Sequence, residues 1–290
     1  MGQFVNRARR YFGTDARGLL EGGRYALLHT RSLEFDDLRP YVAGDDVRDI
    51  DWKASARSGS VLTKRFVSEK HHKILIVADS GTNMTALAPS GENKRDIAVH
   101  VMGAIGLIAM RRSDEVGLVY GDSGGSTSIR HRRGETHLES MLAGYYARTL
   151  NHRCRSDILA QLRYVTTGYR RRMLVIIVSD EPDTTEALSQ VLQQLTAQHD
   201  VLWAMVSDMA AVGSSDDELD AYDVSSGAFV LNAATLGPKV IEAYRRAESE
   251  RAAQLDSFLT TRSIRFARFS DSAQLRDRMV ALTGDFQHVG

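Results

Sequence analysis

The chain has 290 residues, 43% of them hydrophobic and 26% charged, with 37 basic side chains set against 37 acidic ones. That balance supplies no global field toward nucleic acid or anionic lipid, so any such binding would need a local patch. A single cysteine, Cys154, excludes both an intramolecular disulfide and a thiolate zinc cage.

The N-terminal stretch MGQFVNRARRYFGTDARGLL spreads arginines throughout and has no continuous apolar run, unlike a secretory leader. Its RARRYF segment reads as a solvated helix or as a contact for an acidic partner. A division falls near residue 70: residues 1–70 form a leading segment dense in glycine and charge, and residues 71–290 form an α/β domain. Beyond the division, short β-rich runs alternate with long amphipathic segments, the pattern of βα units and a largely parallel sheet. Strands are expected at Lys73–Ala78, Val116–Gly121, Met173–Ser179, Val201–Val206, Ala228–Leu231 and Ser263–Phe269. The first, third and fourth are apolar on both faces, as central strands covered by helices are. The last alternates polar with apolar and suits an edge. Helices are expected at Lys94–Arg112, His137–Leu150, Asp157–Tyr169, Thr184–Gln198 and Lys239–Leu259. In the first of these, Ile97, Val101, Ala104, Ile105 and Ile108 make one apolar face.

Ser126–Arg130 follows Gly124 and Gly125 and reads as the edge strand of a hairpin. Thr85–Asn93 and the acidic Ser214–Asp223 read as loops. The longest apolar runs, Ile74–Ala78 and Met173–Val178, are too short to span a bilayer, and a cytoplasmic location is the expectation.

The segment from Leu33 to Phe66 is unusual in composition. Asp36, Asp37, Asp45, Asp46, Asp49 and Asp51 alternate with Arg39, Arg48, Lys53 and Arg57, with Tyr41 and Trp52 between them and turns at Pro40 and Gly44. Arginine suits bidentate carboxylate contacts in partly buried settings, so an ion-pair network locking the segment to the strand domain is expected. The string LRPYVAGDDVRDIDWKASAR resembles the hallmark tract of the DUF58 family, which precedes a von Willebrand factor A-like domain. The likeness is strongest from Leu33 to Met84. It implies a doubly wound, mostly parallel α/β fold with a short N-terminal β-rich appendage. It also implies a role beside MoxR-type AAA+ ATPases, as an adaptor for the ATPase or its client in protein or complex maturation.

Von Willebrand factor A domains hold a divalent ion with an Asp-x-Ser-x-Ser loop, a threonine and a second aspartate. The resemblance therefore places a degenerate Mg2+ site at Asp79, Asn83, Ser156 and Asp180. Hard oxygen donors suit magnesium, and carboxyl ends of parallel strands are where open α/β sheets bind ligands. Here Gly81 and Asn83 replace both serines, with Ser80 and Thr82 as neighbouring hydroxyls. The competing reading is that Asp79 and Asp180 cap loops or helices and bind no metal.

No Gly-x-x-x-x-Gly-Lys loop is present, the histidines lack ligand spacing, and the GDSGG tract at Gly121–Gly125 reads as a turn. The basic clusters Arg7–Arg10, His131–Arg133 and Arg170–Arg172 give no sign of converging with stacking aromatics, so nucleic acid is not an expected partner. The expectation is a non-catalytic interaction module with the rim at Asp79–Thr85, Ser156 and Asp180 as its contact surface. The alternative is a metal-dependent hydrolase using Asp45, Asp46, Asp49 and Asp51, although the interleaved cations favour charge neutralisation. A third reading makes the Leu33–Phe66 tract a fold staple, with Trp52 as its anchor.

Overall fold

The computed structural model describes residues 2–13, 35–42, 47, 50–66, 72–151, 154–209, 221–222, 224, 229–230 and 237–283. In chain order these form α1 (Gln3–Phe12), β1 (Phe35–Pro40), α2 (Trp52–Ser58), β2 (Leu62–Phe66), β3 (Lys73–Asp79), α3 (Lys94–Arg111), β4 (Glu115–Asp122) and β5 (Gly125–Arg132). There follow α4 (Glu135–Asn151), α5 (Ile158–Gly168), β6 (Leu174–Ser179), α6 (Glu186–Gln198), β7 (Asp200–Val206), β8 (Ala221–Tyr222), β9 (Phe229–Val230), α7 (Pro238–Thr260), β10 (Arg265–Phe269) and α8 (Leu275–Thr283). The chain falls into two units: Met1–Leu27 with His72–Gly290, and Leu28–His71.

The larger unit is built on a six-stranded sheet in the order β10-β7-β6-β3-β4-β5. Every pairing is parallel except β4 with β5, whose hairpin turns through the GDSGG tract. From β3 the chain winds first to one side, through β4 and β5, and then to the other, through β6, β7 and β10. This is the doubly wound arrangement, with the strand order reversing between β3 and β6. β3 and β6 are buried along nearly their whole length because helices cover both faces. On one face Leu75, Val77, Val175, Ile177 and Trp203 join Leu162, Leu192 and Leu259 from α5, α6 and α7 in one core. On the other face α3 lies over β4, β6 and β7.

α3 is buried nearly all round, where its sequence periodicity promised a single apolar face. The reason is a second covering layer. Gly103 and Gly106 let α1 and α4 approach so closely that an added Cβ would overlap Ala8 and Leu138. Accordingly α1 is no solvated helix: Val5, Ala8 and Phe12 are buried, and Glu139 accepts the Phe4 and Val5 N–H groups at the helix start. Residues 3–12 thus pack with the α/β unit instead of the leading segment to which a division at residue 70 assigns them. Of the expected strand Ala228–Leu231 the described residues are Phe229–Val230, which pair with Ala221–Tyr222 outside the main sheet. α8 had no counterpart in the sequence reading.

In the smaller unit β1 and β2 pair antiparallel, and an isolated bridge joins Ile50 to Thr63. Between them α2 starts at Asp51, whose carboxylate accepts the Ala54 N–H at 2.9 Å, and it ends on Gly59 in the left-handed conformation.

Candidate functional site

The ends of β3, β6 and β7 lie side by side, because Ala78 is level with Val178 and Ser179 with Met205. The chain leaves these strands through Asp79, Asp180 and Asp208. Three carboxylates from three adjacent strands therefore meet at the point where the strand order reverses, the usual binding crevice of such sheets.

Asp79 occupies the expected position, but its carboxylate faces inward at 1% exposure. One oxygen accepts the Gly81 N–H at 3.0 Å, and its backbone carbonyl accepts the buried Tyr145 hydroxyl at 2.8 Å. Burial, opposed in part by the Ser156 and Gly81 hydrogen bonds, pushes its pKa up from 3.8 to about 6. A sealed carboxylate cannot itself be the surface on which a partner docks, which corrects that part of the sequence reading.

Asp180 is held three ways: by the Asn83 amide nitrogen at 2.9 Å, by the Glu181 N–H at 2.8 Å and by the Lys94 ammonium at 2.6 Å. The same ammonium also pairs with Asp208. Lys94 is fully buried, at 0% exposure, and it is the first residue of α3 after the Asn93 cap. The Asp208 side chain is half exposed at 51%, and its partial burial together with the neighbouring Asp180 charge pushes its carboxyl up to about 6.

The structure thus brings together Asp79, Asn83, Ser156 and Asp180, as expected. The Ser156 hydroxyl accepts the Asn83 N–H at 3.1 Å, and the Thr82 N–H donates to the Cys154 carbonyl at 3.0 Å. The approach of these two loops explains Gly81: a Cβ there would overlap the Ser156 backbone. Gly81→Ala is expected to cost about 1–3 kcal/mol, measured by thermal unfolding, because backbone and not a flexible side chain must yield.

These residues do not fit a divalent ion. Asn83 presents a nitrogen donor to Asp180, Gly81 offers no side-chain oxygen, and an ammonium already lies between the two more open carboxylates. A magnesium shell needs near-octahedral oxygens. Among the described residues no group of three His, Cys, Asp or Glu side chains is arranged to hold a metal. The Ser80 and Thr82 hydroxyls, buried beside Asp79 in sequence, have no hydrogen-bond partner.

Sequence reasoning missed Lys94 and Asp208. A signal did exist. A lysine at the first position of a helix opposes the macrodipole, so its presence there calls for a compensating anion.

Of the charged tract, Asp51 is committed to capping α2, Arg57 donates to the Lys53 carbonyl at 3.3 Å, and the Tyr41 N–H donates to the Val61 carbonyl. Arg39 lies in β1 opposite Thr63. Gly44, Asp45, Asp46, Arg48 and Asp49 lie outside the described residues. Trp52, expected to anchor the tract, is 65% exposed. A buried Ser–His contact, Ser272 with His100 at 2.7 Å, offers no nucleophile, since Glu92 grips the serine and the hydroxyl is sealed at 0% exposure.

No described helix is long and apolar enough to cross a membrane. Uncharacterized proteins of Mycobacterium bovis and Mycobacterium tuberculosis are 24% identical over 245 residues, covering 82% of this chain and 74% of theirs. Among solved structures, an aerotolerance-related membrane protein from Bacteroides fragilis matches at 11% identity and a TM-score of 0.47, covering 73% of this chain and 98% of that one. A von Willebrand factor type A protein from Catenulispora acidiphila matches at 13% identity and a TM-score of 0.41, covering 77% of this chain and 43% of that one. The SpRpn10 VWA domain matches at 8% identity and a TM-score of 0.39, covering 72% and 94%. The family model described as "Protein of unknown function DUF58" matches residues 37–228, about two thirds of the sequence, and this chain belongs to the DUF58 family.

Proposed function

We propose that the chain is a non-catalytic protein-interaction module that works beside a MoxR-type AAA+ ATPase, as an adaptor for it or for its client. The observation that carries this reading is Trp52. It sits at 65% exposure on α2, in the tract that defines the family resemblance, and Val42, Val47 and Val61 of the same unit are also exposed. Exposed large apolar groups gathered in a short segment mark contact sites, and tryptophan is over-represented among the residues that carry binding energy. The sheet rim supports the same reading, since among its described residues Asp180 and Asp208 share the Lys94 ammonium and Asp79 is sealed from solvent.

The test is titration of a purified MoxR-type ATPase against the wild-type chain and Trp52→Ala. The expected result is an unchanged unfolding midpoint with binding weakened roughly 30-fold, the loss of one interface hot spot. Lowered stability with binding intact would instead make Trp52 a fold staple, and the proposed surface would fall.

A further inference from the structure

We propose that the Lys94 ammonium is the resident cation of the rim, a covalently tethered ion that occupies the carboxylate cluster and leaves it no use for a divalent metal. The geometry points this way on three counts. First, the ammonium is fully buried and contacts two carboxylates from different strand ends, Asp180 at 2.6 Å and Asp208. Burying a lysine is unfavourable unless the charge is matched, so the carboxylates and the lysine are mutual conditions of the fold.

Second, Lys94 is placed against its own helix. At the first position of α3 a cation meets the positive end of the macrodipole, and Asp96 is the acidic residue of that first turn. A lysine chosen for local helix stability would stand at the other end. Its position makes sense only through Asp180 and Asp208, which lie 86 and 114 residues further along the chain.

Third, the remaining loop geometry is committed around the ammonium. Asn83 turns its amide nitrogen onto the second oxygen of Asp180, and Glu181 donates its N–H to the first. Asp180 thus has donors on both oxygens. Asp79, further inside, is satisfied by Gly81 and Ser156. A metal would have to displace a tethered competitor whose effective concentration is set by the fold, not by solution.

Two measurements test this without relying on any partner. In the first, the wild-type chain is titrated with manganese and followed by electron paramagnetic resonance, and its unfolding midpoint is compared in magnesium and in chelator. The free-manganese signal is expected to persist and the midpoint to stay constant. Signal loss on stoichiometric binding, or a midpoint raised by magnesium, would overturn the proposal.

In the second, Lys94→Ala is unfolded in the presence of propylammonium, which replaces the deleted part of the side chain, and of propanol, its neutral counterpart. The ammonium is expected to restore most of the lost midpoint and propanol little. Equal rescue by both, or rescue by neither, would show that the site needs no cation. If Lys94→Ala does not fold, Lys94→Ala/Asp208→Asn carries one carboxylate fewer to compensate and takes the same test, while the manganese experiment needs no variant.

Discussion

Lys94→Met is expected to lower the unfolding free energy by about 3–5 kcal/mol, read from urea denaturation. Methionine matches the lysine stem as far as Cε and lacks only the ammonium beyond it, so the loss reports chiefly the charge. Removing it leaves Asp180 with its Asn83 and Glu181 hydrogen bonds but no counter-charge, and leaves Asp208 without its cation. Breaking a buried pair on one side costs far more than removing the whole group, because the surviving ion keeps its desolvation penalty, which here falls on Asp180 at 15% exposure and only in part on Asp208 at 51%. The companion variant Lys94→Met/Asp180→Asn/Asp208→Asn is therefore expected to recover most of the stability. If it is no more stable than Lys94→Met alone, the cost comes from lost packing and not from the charges.

The second large effect concerns Asp79. Its folded pKa of about 6 lies above the 3.8 of the free side chain. Between those values the folded state holds a proton that the unfolded chain has released. This contribution to stability is fully present below the unfolded value and is lost as pH rises through the folded one. A shift of roughly two units amounts to about 3 kcal/mol at most, and the group is sealed enough for that figure to need no discount for solvent. Asp79→Asn removes the titration while keeping an oxygen for the Gly81 N–H. The variant is expected to be more stable than wild type at about pH 8, by up to about 3 kcal/mol, with the difference vanishing by about pH 4. The comparison requires denaturant curves for both proteins across that range. A constant difference at all pH values would mean that Asp79 does not titrate in the folded state.

Much of the fold is legible in the residues themselves. KILIVAD and LVIIVS are apolar on consecutive positions, which only a strand covered on both faces tolerates, and both become central strands. Asp157 and Thr185 cap α5 and α6 within one or two residues of the starts that the pattern suggests. The N-terminal helix was harder to read. Val5, Ala8 and Phe12 do recur at helical spacing, but the arginines around them drown the apolar signal, and burial comes from tertiary contact with α3, α4 and α8. Trp52 misled in the opposite direction. An aromatic among paired charges suggests a packed anchor, yet α2 is a short helix with no buried residue.

What the sequence determined by itself is the six strands of the main sheet, the helices α3 to α7 that cover it and the delivery of an aspartate to the end of β3 and another to the end of β6. These follow from local patterns of apolar spacing and strand length, which adjacent residues carry between them. What the tertiary structure alone decided is the identity of the cation. In a parallel sheet neighbouring strands are joined by long crossovers, so residues that touch at the rim are separated by most of the domain. Lys94 reads locally as the solvated first residue of a helix. It becomes the buried counter-ion of Asp180 and Asp208 only once β3, β6 and β7 have been laid side by side in register.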